Sequence, residues 1–238
     1  MNQDPTELEW KGRTGPFTIL LNPGVFSPTH TSRTIAEALE IDPDDTVIDV
    51  GCGSGVLSFV AARMGAKRVV GCDISEQAVR AAAANAERLG LRDRVEFRAG
   101  SLLEPVRDVQ ASVLIGDVSG IPDEIAEVTG WFPDGRAGGP TGAELPVAML
   151  ESIGDTLAPG GRLYLPTGTI QDEERIIAAA RRVFGDNMVP VVEREFPLPD
   201  IVGRSIAVAR MMKEGLLNLH RRGSRLLWRL QIWRCVRA

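Results

Sequence analysis

Asp49, Gly51, Gly53, Gly55 and Asp73 are the residues whose types and spacing most directly suggest chemistry. Val47-Ile48-Asp49-Val50 carries an acid near the end of an apolar run, and Gly51-Cys52-Gly53-Ser54-Gly55 follows with alternate glycines. Such a turn lets backbone come close to a bound ligand, because glycine has no side chain and tolerates positive φ. A second apolar run, Val69-Val70-Gly71-Cys72, ends in Asp73. Strand, glycine turn, helix, strand, acid is the layout of a nucleotide-type site at the head of a doubly wound sheet. The dinucleotide fingerprint has a glycine three positions after its second one; here that position is Val56, which departs from NAD binding.

Positioning these residues requires alternating strands and helices, and the pattern supplies them. Strands are expected at Thr46–Val50, Arg68–Cys72, Val95–Arg98, Ser112–Ile115 and Arg162–Leu165. Helices are expected at Val56–Met64, from a Ser75 cap to Arg88, at Leu145–Leu157 and at Ile170–Phe184. Ahead of them, Ser32 is a candidate N-cap for a helix from Arg33 to Glu40, and residues 1–15 read as a loosely held polar arm. Residues 117–145, rich in glycine and proline, read as a long irregular connection of the kind compact domains keep for function. Val189–Phe196 reads as a strand, Ile201–Leu217 as a helix, and the apolar–charged alternation after Leu227 as a half-buried strand with a solvated face. The fold expected is α/β: a mainly parallel, doubly wound sheet closed by an antiparallel C-terminal strand pair.

Composition narrows the function classes. The 238 residues carry a net charge of −5, which argues against bulk affinity for nucleic acid despite a basic C-terminal quarter from Lys213 to Arg237. Few aromatics accompany those charges for base stacking; Trp228 and Trp233 are expected to pack in the sheet or at a homodimer contact, and His220 to lie in a solvated turn. Three cysteines cannot form a disulfide framework, and no His/Cys/Asp cluster has metal spacing, so no metal is expected. No apolar run approaches membrane-spanning length and no secretory signal opens the chain, so a soluble cytoplasmic protein is expected.

The acid followed by alternate glycines, with Asp73 after the next strand, resembles motif I of class I S-adenosylmethionine-dependent methyltransferases. That resemblance implies a Rossmann-like fold with S-adenosylmethionine as cofactor, bound by Asp49, Gly51, Cys52, Gly53 and Gly55. It also implies ribose contact by Asp73, apolar packing of Ile74 on adenine, and adenine contact around Ser101 and Leu102. Residues 44–238 would form the cofactor-binding catalytic domain, and residues 1–43 an arm and lid. Val25-Phe26-Ser27-Pro28 through Ser32, Gly100–Pro105 and Gly138-Gly139-Pro140-Thr141-Gly142 are most similar to the release-factor glutamine methyltransferase branch. That branch carries Asn-Pro-Pro-Tyr after the fourth strand, where this chain has Asp117-Val118-Ser119-Gly120.

The departure implies an acceptor other than glutamine. Asp117 can take or orient a proton from a nucleophile within reach, with His30 on the lid segment as a second candidate catalytic group. Phe26, Pro28, Ser32, Asp117 and Ser119 are the candidate substrate contacts. The expected reaction is methyl transfer to a small-molecule amine or hydroxyl. Two alternatives stay open: a cyclase or lyase that consumes the cofactor and releases methylthioadenosine, and an inactive cofactor-binding regulator.

Overall fold

A computed structural model describes residues 4–130 and 137–238. The chain opens with a hairpin of β1 (Thr6–Trp10) and β2 (Phe17–Leu21), followed by α1 (His30–Ala38). Alternation then begins with β3 (Thr46–Val50), α2 (Val56–Met64), β4 (Arg68–Asp73), α3 (Glu76–Arg88) and β5 (Val95–Ala99). It continues with β6 (Ala111–Gly116), α4 (Asp123–Thr129), α5 (Glu144–Glu151), β7 (Leu157–Gly168) and α6 (Glu173–Phe184). The chain closes with β8 (Met188–Pro197), α7 (Asp200–Gly203), α8 (Ile206–Lys213), β9 (His220–Arg222) and β10 (Arg225–Val236).

The main sheet runs β5-β4-β3-β6-β7-β10-β8, with β9 paired to β10. The first five strands in that order are mutually parallel, while β10 is antiparallel to both β7 and β8. This is the expected class I methyltransferase fold. The strand order reverses beside β3, so β4 and β6 flank its carboxyl end and leave a crevice there, the usual ligand site of such sheets. Apolar residues fill both faces of the central strands: Val47, Val69 and Val113 belong to one core, Ile48, Val70 and Leu114 to the other.

Several elements differ from the sequence reading, each for a local reason. The N-terminal stretch is not a loose arm. Its Trp10 is 1% exposed, packs near Phe17 and donates its indole N–H to the Arg13 carbonyl. The polar residues of β1 hide this because only alternate positions turn inward. α1 starts earlier than expected: Thr29 is the N-cap and Ser32 sits one turn in, completing a capping box. The connection after β6 contains α4, and residues 131–136 of the expected loop lie outside the described residues. α5 stops at Glu151, and a 3₁₀ turn at Gly154–Thr156 leads into β7, whose register shift accommodates Pro159-Gly160-Gly161.

The single helix expected over Ile201–Leu217 is two, because Ser205 caps α8 by accepting from the Val208 amide. β10 lies between β7 and β8, and the charged face expected to be solvated also carries ion pairs. Arg229 reaches Glu173 at 2.8 Å and Arg234 reaches Glu40 at 2.8 Å. His220 is likewise in β9, with Nε2 3.3 Å from Glu195, and not in an irregular turn.

The hairpin gives the first prediction. Trp10→Ala should lower unfolding stability by about 3–5 kcal/mol in urea titration, the usual cost of emptying a buried aromatic site. A loss below about 1 kcal/mol, within the range of surface substitutions, would return this segment to a loosely held arm.

Candidate functional site

β3 delivers Asp49 into the crevice, fully buried, with its neighbour Val50 in the core. The turn that follows is anchored to β4, because the Gly51 and Cys52 amides both donate to the Cys72 carbonyl, at 2.8 and 3.0 Å. Gly51 has φ +77°, and a Cβ there would lie 2.7 Å from the Asp117 carbonyl oxygen. Glycine at this position therefore lets the turn after β3 and the loop after β6 touch through backbone. The next amide in the turn, Gly53 N–H, donates to Asp73 Oδ2 at 2.9 Å, and Ser75 N–H donates to Asp73 Oδ1 at 2.8 Å. Each Asp73 oxygen retains acceptor capacity, since an ionised carboxylate offers about four lone-pair sites.

Across the crevice, Ser32 Oγ donates to Asp117 Oδ2 at 3.0 Å while accepting from the Thr29 amide. Burial raises the Asp117 carboxyl to about 6, with the Ser32 hydrogen bond pulling the other way. Burial also raises Asp49 to about 7, opposed by the 2.6 Å hydrogen bond from Ser58 and reinforced by the charges of Asp117 and Asp73. Asp49 Oδ1 is buried with no hydrogen-bond partner among the described residues. Burial pushes the Cys52 thiol well above its ordinary range and the Cys72 thiol to about 12, so both stay neutral. Cys72 Sγ lies 3.1 Å from the carbonyl oxygen of Leu102, whose φ of +48° is unusual for a side-chain-bearing residue.

These groups line one cavity of about 1210 Å³. Its wall includes Phe26, Pro28, His30, Ser32, Asp49, Gly51, Cys52, Gly53, Asp73, Ile74, Ser101, Leu102, Asp117 and Ser119. Gly55 is the exception among the expected site residues. It starts α2 facing the Phe59 and Phe97 rings, so it serves packing and does not line the cavity. Ile74 is 54% exposed, an apolar side chain at the cavity wall. His30 stacks on Phe196 at 4.6 Å, and Phe196 packs against Trp228 at 5.6 Å, forming an aromatic wall at the far end.

The sequence reading missed Gln171, Phe196, Leu198 and Trp228, which also line the cavity. Gln171 lies just past the carboxyl end of β7, the neighbour of β6. Position at a strand's carboxyl end, which singled out Asp117, would have found it.

The fit to S-adenosylmethionine rests on these features. Asp73 offers acceptors to a diol, a Cβ on Gly53 would meet nothing nearer than the Phe26 carbonyl oxygen at 3.9 Å and so leaves room beside the turn, and the buried Asp49 carboxylate beneath it keeps one oxygen without a partner among the described residues. The volume exceeds the roughly 300–1,000 Å³ of ordinary small-molecule sites, leaving room for an acceptor group beside the cofactor.

The fold and cofactor site define a class I S-adenosylmethionine-dependent methyltransferase. The family model described as ribosomal protein L11 methyltransferase (PrmA) matches residues 10–129, and the chain belongs to that family. The ribosomal protein L11 methyltransferase of Pelotomaculum thermopropionicum is 33% identical over 214 residues, covering 88% of this chain and 59% of the relative. That of Colwellia psychrerythraea is 45% identical over 96 residues, 37% of this chain and 32% of the relative. The chain thus spans less than two thirds of the length of these curated relatives. Among solved structures, the ribosomal protein L11 methylase of Lactobacillus delbrueckii subsp. bulgaricus superposes with a TM-score of 0.54 at 20% identity, covering 88% of this chain and 82% of that one. The M. jannaschii tRNA m1G37 methyltransferase superposes with a TM-score of 0.62 at 12% identity, covering 99% and 56%. These two likenesses concern the fold alone.

The match corrects three expectations. The nearest branch is not the release-factor glutamine methyltransferases, since the family model matches residues 10–129 and the missing Asn-Pro-Pro-Tyr marked the divergence. The small-molecule acceptor is overturned, because the matching family is named for a protein substrate. The cyclase and regulator alternatives, raised only from the altered loop, go with it. Among the described residues no helix is long and apolar enough to cross a membrane.

Asp49 makes a testable pH signature. Burial lifts its carboxyl to about 7 in the folded protein from its ordinary 3.8 in the unfolded chain, so between those values the native state holds the extra proton. Stability from this group is therefore complete below about pH 4, falls as pH rises to about 7, and is level beyond. Asp49→Asn should flatten that part of the profile; urea midpoints of the cofactor-free protein at several pH values between 4 and 8 check it, and an unchanged slope would contradict the buried, protonated acid.

Proposed function

We propose that this protein methylates an amine of a polypeptide, with ribosomal protein L11 the first candidate given the names of its relatives. The observation that carries the amine is Asp117: a half-buried carboxylate, oriented by Ser32, in a cavity whose described lining contains acids but no lysine or arginine. Such a wall favours a cationic group and disfavours an anionic one. An aliphatic stem behind the amine suits the aromatic wall of His30, Phe196 and Trp228.

When bound, S-adenosylmethionine supplies an electrophilic methyl group on a sulfonium centre. Asp73 would hold the ribose hydroxyls and Asp49 the amino group of its methionine part, while Ile74 would cover the adenine. Asp117, ionised above about pH 6, holds the incoming ammonium against Ser32. An ammonium has no lone pair, so a proton must leave before the nitrogen can attack, and the Asp117 carboxylate is the group placed to accept it. Closing the far wall around the stem excludes water and fixes the line of approach, which supplies much of the rate for a transfer of this kind.

Incubation with purified ribosomal protein L11 and S-adenosylmethionine should add methyl groups to L11 by mass spectrometry; unmodified L11 with cofactor bound would overturn the reading. Asp117→Ala should lower kcat by about 10²–10⁴-fold, the range of a lost general base, with cofactor affinity unchanged. Full activity would reduce Asp117 to a loop-capping residue.

A further inference from the structure

Two polar side chains beyond Asp117 have no use in the chemistry described so far. Ser119 Oγ is buried without a hydrogen-bond partner among the described residues. Gln171 is 7% exposed, lines the same cavity, and its side-chain amide likewise forms no hydrogen bond among the described residues. Both follow the carboxyl ends of adjacent strands, β6 and β7, so topology sets them on one side of the crevice.

The seat of Gln171 is built closely. A Cβ on Gly120 would fall 2.0 Å from Gln171 Oε1, so the amide lies directly against glycine backbone. On the other side, a Cβ on Gly142 would lie 3.0 Å from Gln171 Cβ, and Asp172 N–H donates to the Thr141 carbonyl at 3.0 Å. The turn Gly138–Gly142, which the cofactor chemistry does not require, thus fixes this glutamine in place. The Gln171 amide is thereby held ready toward the cavity, while the buried Ser119 hydroxyl without a partner costs free energy in the empty protein, a cost relieved by a ligand that bonds it.

The chemistry of the pair selects the ligand. Gln171 offers an acceptor oxygen and two donor hydrogens, and Ser119 a hydroxyl that can do either. Neither bears charge, so the matching partner is a neutral group that donates and accepts at once. We propose that Ser119 and Gln171 form a subsite for an uncharged amide, the peptide group next to the reacting amine of a polypeptide acceptor. The enzyme would then read backbone as well as amine, which discriminates a polypeptide from a free amine of the same stem. The inference rests on the amine-acceptor reading above.

The test is calorimetry on the full chain loaded with S-adenosylhomocysteine, using two pairs of amines. One pair is Nα-acetyl-lysine N-methylamide against 1-aminopentane; the other is alanine N-methylamide against isopropylamine. In at least one pair the amide-bearing amine should bind about tenfold more tightly, the worth of one or two hydrogen bonds to buried groups. That preference should fall to less than about twofold in the S119A/Q171L double variant, with S-adenosylhomocysteine affinity retained as the control for folding. Equal binding within both pairs, or a preference that survives the double substitution, would overturn the subsite alone. Binding of none of the four amines would overturn the amine reading itself, and the subsite with it.

Discussion

The backbone contact between Gly51 and Asp117 is the constraint on which the site depends. Two loops leave adjacent parallel strands, and only the missing side chain at Gly51 lets them meet. One loop is tied to Asp73 through the Gly53 amide and in the proposed reading holds the cofactor. The other carries Asp117 and Ser119 and in the proposed reading holds the acceptor. A larger residue at position 51 would separate the two halves by roughly the width of a methyl group, and in-line transfer tolerates misplacement of that size poorly.

Around that contact the protein concentrates acid. Asp49, Asp73 and Asp117 share one cavity, and burial raises Asp49 and Asp117 to about 7 and about 6. Buried carboxylates without a cation are costly, and the described lining supplies no basic side chain. Such a lining suits cationic ligands, as in the proposed reading with a sulfonium and its ammonium at one end and an amine at the other. The pKa values near neutrality mean that both acids can exchange a proton as those cations come and go.

The fold was legible because its signals are redundant. Strand, turn, helix and acid recur in order from Thr46 to Asp73, and the Ser75 cap and Arg88 end of α3 are local features that tertiary context did not move. That Asp49, Gly51, Gly53 and Asp73 would share one cavity was legible for the same reason: glycine spacing and two strand-end acids are contiguous patterns. The acceptor half was not. Gln171, Phe196 and Trp228 come from three separate segments and meet only because β10 is inserted between β7 and β8, a pairing that no local pattern encodes. The acceptor class was misread for a related reason: losing Asn-Pro-Pro-Tyr says what the loop no longer holds, and its replacement by Asp117 fits any nucleophile that carries a proton.

The polar N-terminus shows how a segment remote from the chemistry controls it. Arg13, in the turn of the β1–β2 hairpin, donates from Nη1 to the carbonyls of Glu37 and Leu39 at 3.1 and 2.6 Å. These are the carbonyls that the last turn of α1 leaves unsatisfied, so a cation there closes the helix and opposes its dipole. The other end of α1 carries His30 and Ser32, the partners of Phe196 and Asp117. The helix is thus pinned at its C-terminus by the hairpin and at its N-terminus by the site. Because α1 is only nine residues long, its few hydrogen bonds cannot hold it in isolation. The position of the Ser32 hydroxyl against Asp117 therefore depends on Trp10 and Arg13, and the hairpin supports that wall of the cavity as much as the fold.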